Sequence, residues 1–180
     1  MLEYAENNRY NNYGIYYTIT MKCAEGTELR MRKKQRYIGV SNGIVLCVDR
    51  YGGGTIEGRM YHGYQKENIH FYGYEKVIKI AEGLFNALGF PFMGTGDRDI
   101  HGNIRSCDRT EGMERVLSEE ELLKKHGDKG TFVIRVRHRQ HSSWQGEITY
   151  LEEDKSVCFR SLLELIKIID NILDETEEDC

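Results

Sequence analysis

Residues 131–141, TFVIRVRHRQH, alternate apolar and polar side chains, with Phe132, Ile134 and Val136 at one parity and Arg135, Arg137, Arg139 and His141 at the other. Successive side chains of a strand point to opposite faces, so this pattern predicts three guanidiniums and an imidazole along one face. Alternate residues recur about every 7 Å, close to the distance between successive phosphates of a nucleic acid strand, and a guanidinium forks onto phosphate or carboxylate oxygens. The chemistry implied is anion recognition. Downstream, HSSWQG brings Trp144, the one tryptophan, next to Gln145. Such an indole is an interface anchor if exposed and a core ring if not. A second basic run, Arg30, Arg32, Lys33, Lys34 and Arg36, would widen the cationic surface if it came close to the strand. Elsewhere it would be a solvated edge that discourages strand-to-strand pairing. The bland alternative for the stripe is a solvent face whose arginines pair with Glu147, Glu152 or Glu153 on neighbouring strands. If the arginines face away from the apolar residues, all three are dispensable for stability.

Catalytic constellations are weaker. Asp97, Asp99 and His101 resemble a metal or acid–base cluster, and GTGD resembles a phosphate loop, but no GK[ST] follows and Asp and Gly are ordinary turn formers. His138 and His141 with Cys158 lack a third group to orient them. We therefore expect no catalytic residues, no metal site and no cofactor.

The chain has 180 residues, of which 39% are hydrophobic and 30% charged, with a net charge of −4. Disorder of the whole is thereby excluded, and a chain of this length buries roughly 70% of its unfolded surface. No apolar run approaches the ~18 residues that would span a bilayer. The N-terminus lacks the basic start and apolar stretch of a signal peptide, so a cytoplasmic protein without a membrane partner is expected. Five scattered cysteines without a CxxC pair suggest neither a disulfide framework nor a zinc knuckle. Much of the acidity sits in Asp174, Glu175, Glu177, Glu178 and Asp179, a tail that like-charge repulsion keeps hydrated.

The elements that must position these side chains come in duplicate. Sliding the sequence by 88 aligns Val45 with Val133, Val48 with Val136, Gly58 with Gly146, Phe71 with Phe159, and Ile78-Lys79-Ile80 with Ile166-Lys167-Ile168. Chance would give about three such identities over the same stretch. Each copy reads as three strands and a helix. Val77, Ile78, Ala81, Leu84, Phe85 and Leu88 mark the first helical face, and Leu162, Leu165, Ile166, Ile169, Ile172 and Leu173 the second. Ser161 with Glu164 and Ser118 with Glu121 are capping pairs, the latter opening a short helix over 118–126. The expected fold is α+β, with tandem β-β-β-α units related by a pseudo-twofold and antiparallel sheets packed on two main helices. Its parts are an N-terminal strand extension (1–43), a first copy (44–90), a connector with a short helix (91–130), a second copy (131–173) and the acidic tail (174–180).

Residues 135–173 carry a resemblance. Arg139, Gln140, Ser143, Trp144, Gln145 and Gly146, followed by Phe159, Arg160, Ser161, Leu163, Glu164, Leu165, Lys167, Ile168 and Ile169, are similar to a family of short uncharacterised proteins of anaerobic Firmicutes. That family carries RQxx(S/T)WQG and then FRSxLELxKLI. Gly89, Phe90, Pro91, Phe92 and Arg98 resemble its upstream half more weakly, and His141 stands where asparagine is usual. The resemblance implies a bacterial cytosolic α+β protein and supplies no activity.

Two functional classes follow. One is a binding module that docks a protein or protein–nucleic acid complex through the cationic strand, for example an inhibitor of a nuclease carried by a mobile element, of the anti-CRISPR kind. The other is direct nucleic-acid binding by the same face, with affinity that falls steeply with salt. An enzyme using the connector's Asp97, Asp99 and His101 is a third and weaker reading, and the oligomeric state is open.

Overall fold

In a computed structural model, residues 6–11, 14–22, 28–31, 42–93, 96–98, 100–102, 104–105 and 113–178 are described. The chain divides into two compact units, Met1–Gly39 and Val40–Cys180.

In the first unit β1 (Glu6–Asn11), β2 (Gly14–Lys22) and β3 (Glu28–Met31) form an antiparallel sheet in that order. The sequence pattern anticipates β2 and β3. β1, rich in asparagine, has no apolar alternation to announce it, and is defined by its register on β2 from Glu6 opposite Ile19 to Asn11 opposite Gly14. Arg30 lies in β3 opposite Thr20. Arg32, Lys33, Lys34 and Arg36 fall outside the described residues.

The second unit is built on one six-stranded antiparallel sheet, where separate sheets were expected. Its strands are β4 (Gly43–Gly52), β5 (Thr55–His62), β6 (Ile69–Tyr72), then, after α1 (Gly73–Leu88) and the short pair β7 (Asp97–Arg98) and β8 (Ile104–Arg105), and after α2 (Glu119–Leu123), β9 (Gly130–Gln140), β10 (Ser143–Tyr150) and β11 (Lys155–Phe159), with α3 (Leu162–Glu178) closing the order. Across the sheet the order is β11-β10-β9-β4-β5-β6, so β4 and β9 are central, with Ile44 opposite Ile134, Val45 opposite Val133 and Leu46 opposite Phe132.

α1 and α3 cover one face. Their Val77, Ala81, Leu84, Phe85, Leu165, Ile169 and Leu173 pack on Ile44, Leu46, Phe132, Ile134, Ile148 and Met60. α3 starts as its sequence predicts, with Glu164 N donating to Ser161 Oγ (3.1 Å). α1 has no side-chain cap, because its N-cap residue is Tyr72, which has no short polar side chain to reach the first-turn N–H groups, and it stops at Gly89 in left-handed backbone (φ 61). The opposite face of the central strands is also buried, which explains the unbroken apolar runs IVLCV (44–48) and FVI (132–134). Residues 113–129 lie across it: Val116 N and Leu117 N donate to Gly63 O (2.7 and 3.1 Å), and Lys129 N donates to Val48 O (2.8 Å). Leu117 and Leu122 are buried, as are Val45, Cys47 and Val133. Burial pushes the Cys47 thiol up to about 12. α2 carries the reciprocal Ser118–Glu121 cap but stops at Leu123, short of the expected His126.

Both long hairpins contain a β-bulge. Register passes from Val48–Gly58 to Arg50–Glu57 in one and from Val136–Gly146 to His138–Gln145 in the other, which leaves Asp49 and Arg137 without opposite residues. The glycines are required there. A Cβ on Gly58 would lie 2.0 Å from Cys47 O, and one on Gly146 2.0 Å from Arg135 O. Gly58→Ala or Gly146→Ala therefore forces the strands apart, and urea denaturation should show a loss of about 3 kcal/mol or more. A change below about 1 kcal/mol would show that the bulges relax freely.

His62 ends β5 and is buried, with Nδ1 accepting from Tyr64 N (3.2 Å), an arrangement that needs the neutral ring. Burial lowers its pKa below the ordinary 6.5. The folded protein binds this proton less readily than the unfolded chain, so the stabilising effect is complete above that value and is lost as pH falls through it. Comparing denaturation midpoints at about pH 7.5 and about pH 5.5, His62→Gln should flatten the decline seen in the parent protein. An unchanged slope would assign the decline to other groups.

Candidate functional site: the β9–β10 hairpin

The bulge at Arg137 overturns the single-face stripe. Strand alternation holds up to Val136; the extra residue then shifts the phase, so the residue that next faces the helices is Arg139. Arg139 is 4% exposed, opposite the buried Trp144. Its Nε donates to Pro91 O (2.9 Å), and Nη1 donates to Glu82 Oε2 (2.6 Å) and Asn86 Oδ1 (2.7 Å). The guanidinium also lies 5.6 Å from the centre of the Phe85 ring. Trp144 donates its indole N–H to the other oxygen of Glu82 and meets Phe85 edge-on (5.4 Å between centroids, 75°). Trp144 is thus core material that ties β10 to α1, not an exposed anchor.

Arg135 and Arg137 remain on the face away from the long helices, both near Glu147. Arg137 forms an ion pair with Glu147. Arg135 is half-buried, directly opposite Glu147, with Nη2 3.4 Å from Thr149 Oγ1 and no hydrogen-bond partner for its buried Nε among the described residues. Of the three acids expected to pair with the arginines, Glu147 does so. Glu152 instead accepts from Thr131 N, and Glu153 pairs with Lys155. The same face of β4–β5 is neutralised alike: Arg59 donates to both oxygens of Asp49 (2.8 and 2.7 Å) and holds that carboxyl below its usual range.

The turn between the strands is unusual. His141 (φ 55) and Ser142 (φ 53) both have left-handed backbone, whereas the β4–β5 hairpin turns on Gly53 (φ 58) and Gly54 (φ 70). Two-residue hairpin turns of this kind favour Asn-Gly because side-chain-bearing residues resist that region. Gln145 holds the tip: its Oε1 accepts from Gln140 N (3.1 Å), and its Nε2 donates to Gln140 O (3.1 Å) and Ser143 O (3.2 Å). Ser143 Oγ accepts from Leu162 N (2.9 Å), fixing the turn to the start of α3. His138, Gln140, His141 and Ser142 are exposed around this frame.

Sequence reasoning missed Glu82 and Asn86, which sit one turn apart on α1 and read as its solvent face. Asp97 lies in β7 and His101 in the exposed turn before β8, while Asp99 falls outside the described residues. Among the described residues, no three His, Cys, Asp or Glu side chains converge to hold a metal ion, and no helix is long and apolar enough to cross a membrane. No family model, curated protein or solved structure matches the chain.

The stability expectation for the arginines therefore splits. Arg139→Ala leaves Oε2 of Glu82, Asn86 Oδ1 and the Pro91 carbonyl without this donor and should cost about 3 kcal/mol. Arg137→Ala removes a partly exposed, salt-screened pair and should cost less than about 1 kcal/mol. Equal losses in thermal denaturation would contradict this division.

Proposed function

We propose that the protein is a non-catalytic binding module that docks a protein or a protein–nucleic acid complex through the tip and outer face of the β9–β10 hairpin. The strained turn carries the reading. Backbone strain kept at two adjacent positions, where glycine would relieve it, is a mark of selection for the side chains displayed. His141 and Ser142 are those side chains, flanked by His138, Gln140 and Arg137. The Gln145 and Ser143 hydrogen bonds fix the tip in place, which reduces the entropy lost on docking.

Comparison of the two hairpins sharpens this. We read residues 44–90 and 131–173 as diverged copies of one β-β-β-α unit related by a pseudo-twofold. Several features support the copies: Val45 opposite Val133 at the centre, bulges at Asp49 and Arg137, glycines at 58 and 146, and the same burial alternation along β5 and β10. Equivalent positions then differ where it matters. Tyr51 becomes Arg139, Ile56 becomes Trp144, and Gly53-Gly54 becomes His141-Ser142. Tyr51 reaches Asp174 on α3 (2.7 Å) much as Arg139 reaches Asn86 on α1. The Arg139–Glu82–Trp144 cluster lines one small cleft together with Ser142 and Ser143 of the strained tip.

An inhibitor that occupies a nuclease surface, of the anti-CRISPR kind, is the concrete form we favour, in line with the bacterial cytosolic family the sequence resembles. Direct nucleic-acid binding has less support, because Glu147 and Glu82 engage two of the three guanidiniums a phosphate backbone would need. The test exchanges the turn. His141→Asn with Ser142→Gly should raise stability by about 1 kcal/mol while abolishing capture of the partner from bacterial lysate. Capture that survives the exchange would refute the hairpin tip as the contact. A gel shift at low salt that Arg135→Ala and Arg137→Ala abolish would move the assignment to nucleic acid.

A further inference from the structure

The helix-covered face of the large sheet is left open at one edge. β11 is its last strand, and among the described residues nothing pairs with its outer side. Val157 stands opposite Ile148 and so belongs to the helix face, yet it is 49% exposed. It borders an open groove of about 450 Å³ between β11 and α3, floored by Ile148, Tyr150, Ile168 and Ile172. Edge strands are normally protected by bulges, inward charges or a covering element. Among the described residues β11 has none of these along its middle: its register on β10 runs unbroken from Lys155 to Phe159, and its one charge is Lys155 at the end.

We propose that β11 is a self-association edge, at which a second copy of the chain pairs its own β11 antiparallel about Val157 and joins the two sheets across a twofold axis. This surface is distinct from the hairpin tip. The occupant is specified by the strand's own sequence. With Val157 opposite Val157 of the second copy, each valine lies on the helix face beside the other and closes the other's groove. Strand pairing supplies partners for the outward N–H and C=O groups of both chains. The same register brings Glu153 and Asp154 of one chain beside Arg160 of the other, at both ends of the pair. Arg160 already pairs with Glu164 of its own chain (3.0 Å), but its side chain is 88% exposed, so the contact across the axis adds acidic neighbours to an exposed ion pair. The chain already uses this geometry internally: β4 and β9 pair antiparallel with Ile44 opposite Ile134 on the helix face, and α1 and α3 meet where Tyr74 donates to Asp170 (2.6 Å). A foreign strand would find the backbone groups, but nothing in the groove selects it.

Sedimentation equilibrium of the full chain should show a reversible monomer–dimer equilibrium. Val157→Lys, an exposed edge change, should raise the dimer dissociation constant at least ~10-fold and leave thermal stability at low concentration unchanged. Directly opposed residues of an antiparallel pair have Cα atoms about 5 Å apart, within disulfide range. Val157→Cys in a Cys158→Ser background should therefore give a disulfide-linked dimer on mild oxidation, absent from Cys158→Ser alone. A parent protein that stays monomeric at roughly 0.1 mM would overturn the proposal. So would a dimer that Val157→Lys leaves intact, a Val157→Cys variant that does not cross-link, or a monomer whose edge captures a strand of another protein.

Discussion

The antiparallel pairing of β4 with β9 is the contact on which the rest of the large unit depends. It joins two hairpins that are otherwise far apart in sequence, and its side chains are buried on both sides, by α1 and α3 on one and by residues 113–129 on the other. A strand pair covered on both faces contributes apolar burial twice per residue pair and tolerates no register slip, because a shift of one residue would reverse every side chain. The helices, the short α2 segment and the two edge strands all take their places from this pair.

Two bulges then determine what the hairpins display. Gly58 and Gly146 permit the backbones to approach where a Cβ would collide with a carbonyl, and the extra residue opposite each changes the phase of the strand that follows. In the β9–β10 hairpin this turns Arg139 inward onto Glu82, Asn86 and the Pro91 carbonyl and places Trp144 beside it. A guanidinium so fully engaged acts as a structural rivet. It makes the hairpin end rigid, and the exposed His138, Gln140, His141 and Ser142 are presented on that rigid end.

Most of the element boundaries were legible from the residues. Helical spacing of apolar side chains located α1 and α3, and the Ser–Glu pairs located the starts of α2 and α3, because local capping chemistry is independent of what the helix packs against. Strict alternation along residues 131–141 misled for a physical reason. Periodicity reads one strand at a time, whereas a bulge is a property of a strand and its partner. The available signal was Gly146, a glycine inside an apolar strand, and its counterpart Gly58. β1 and the two-residue strands β7 and β8 are too polar or too short to leave a periodic trace, so pairing alone defines them.

The α+β class, the two amphipathic helices and the central apolar strands could be read from the residues alone, since each depends on the spacing of side chains within a segment. Tertiary packing was needed to show that β4–β6 and β9–β11 join in one sheet, that residues 113–129 cover its second face, and that Arg139 and Trp144 are buried while Arg137 is not. Those outcomes depend on which backbones lie side by side, and on where one residue too many must be accommodated between them.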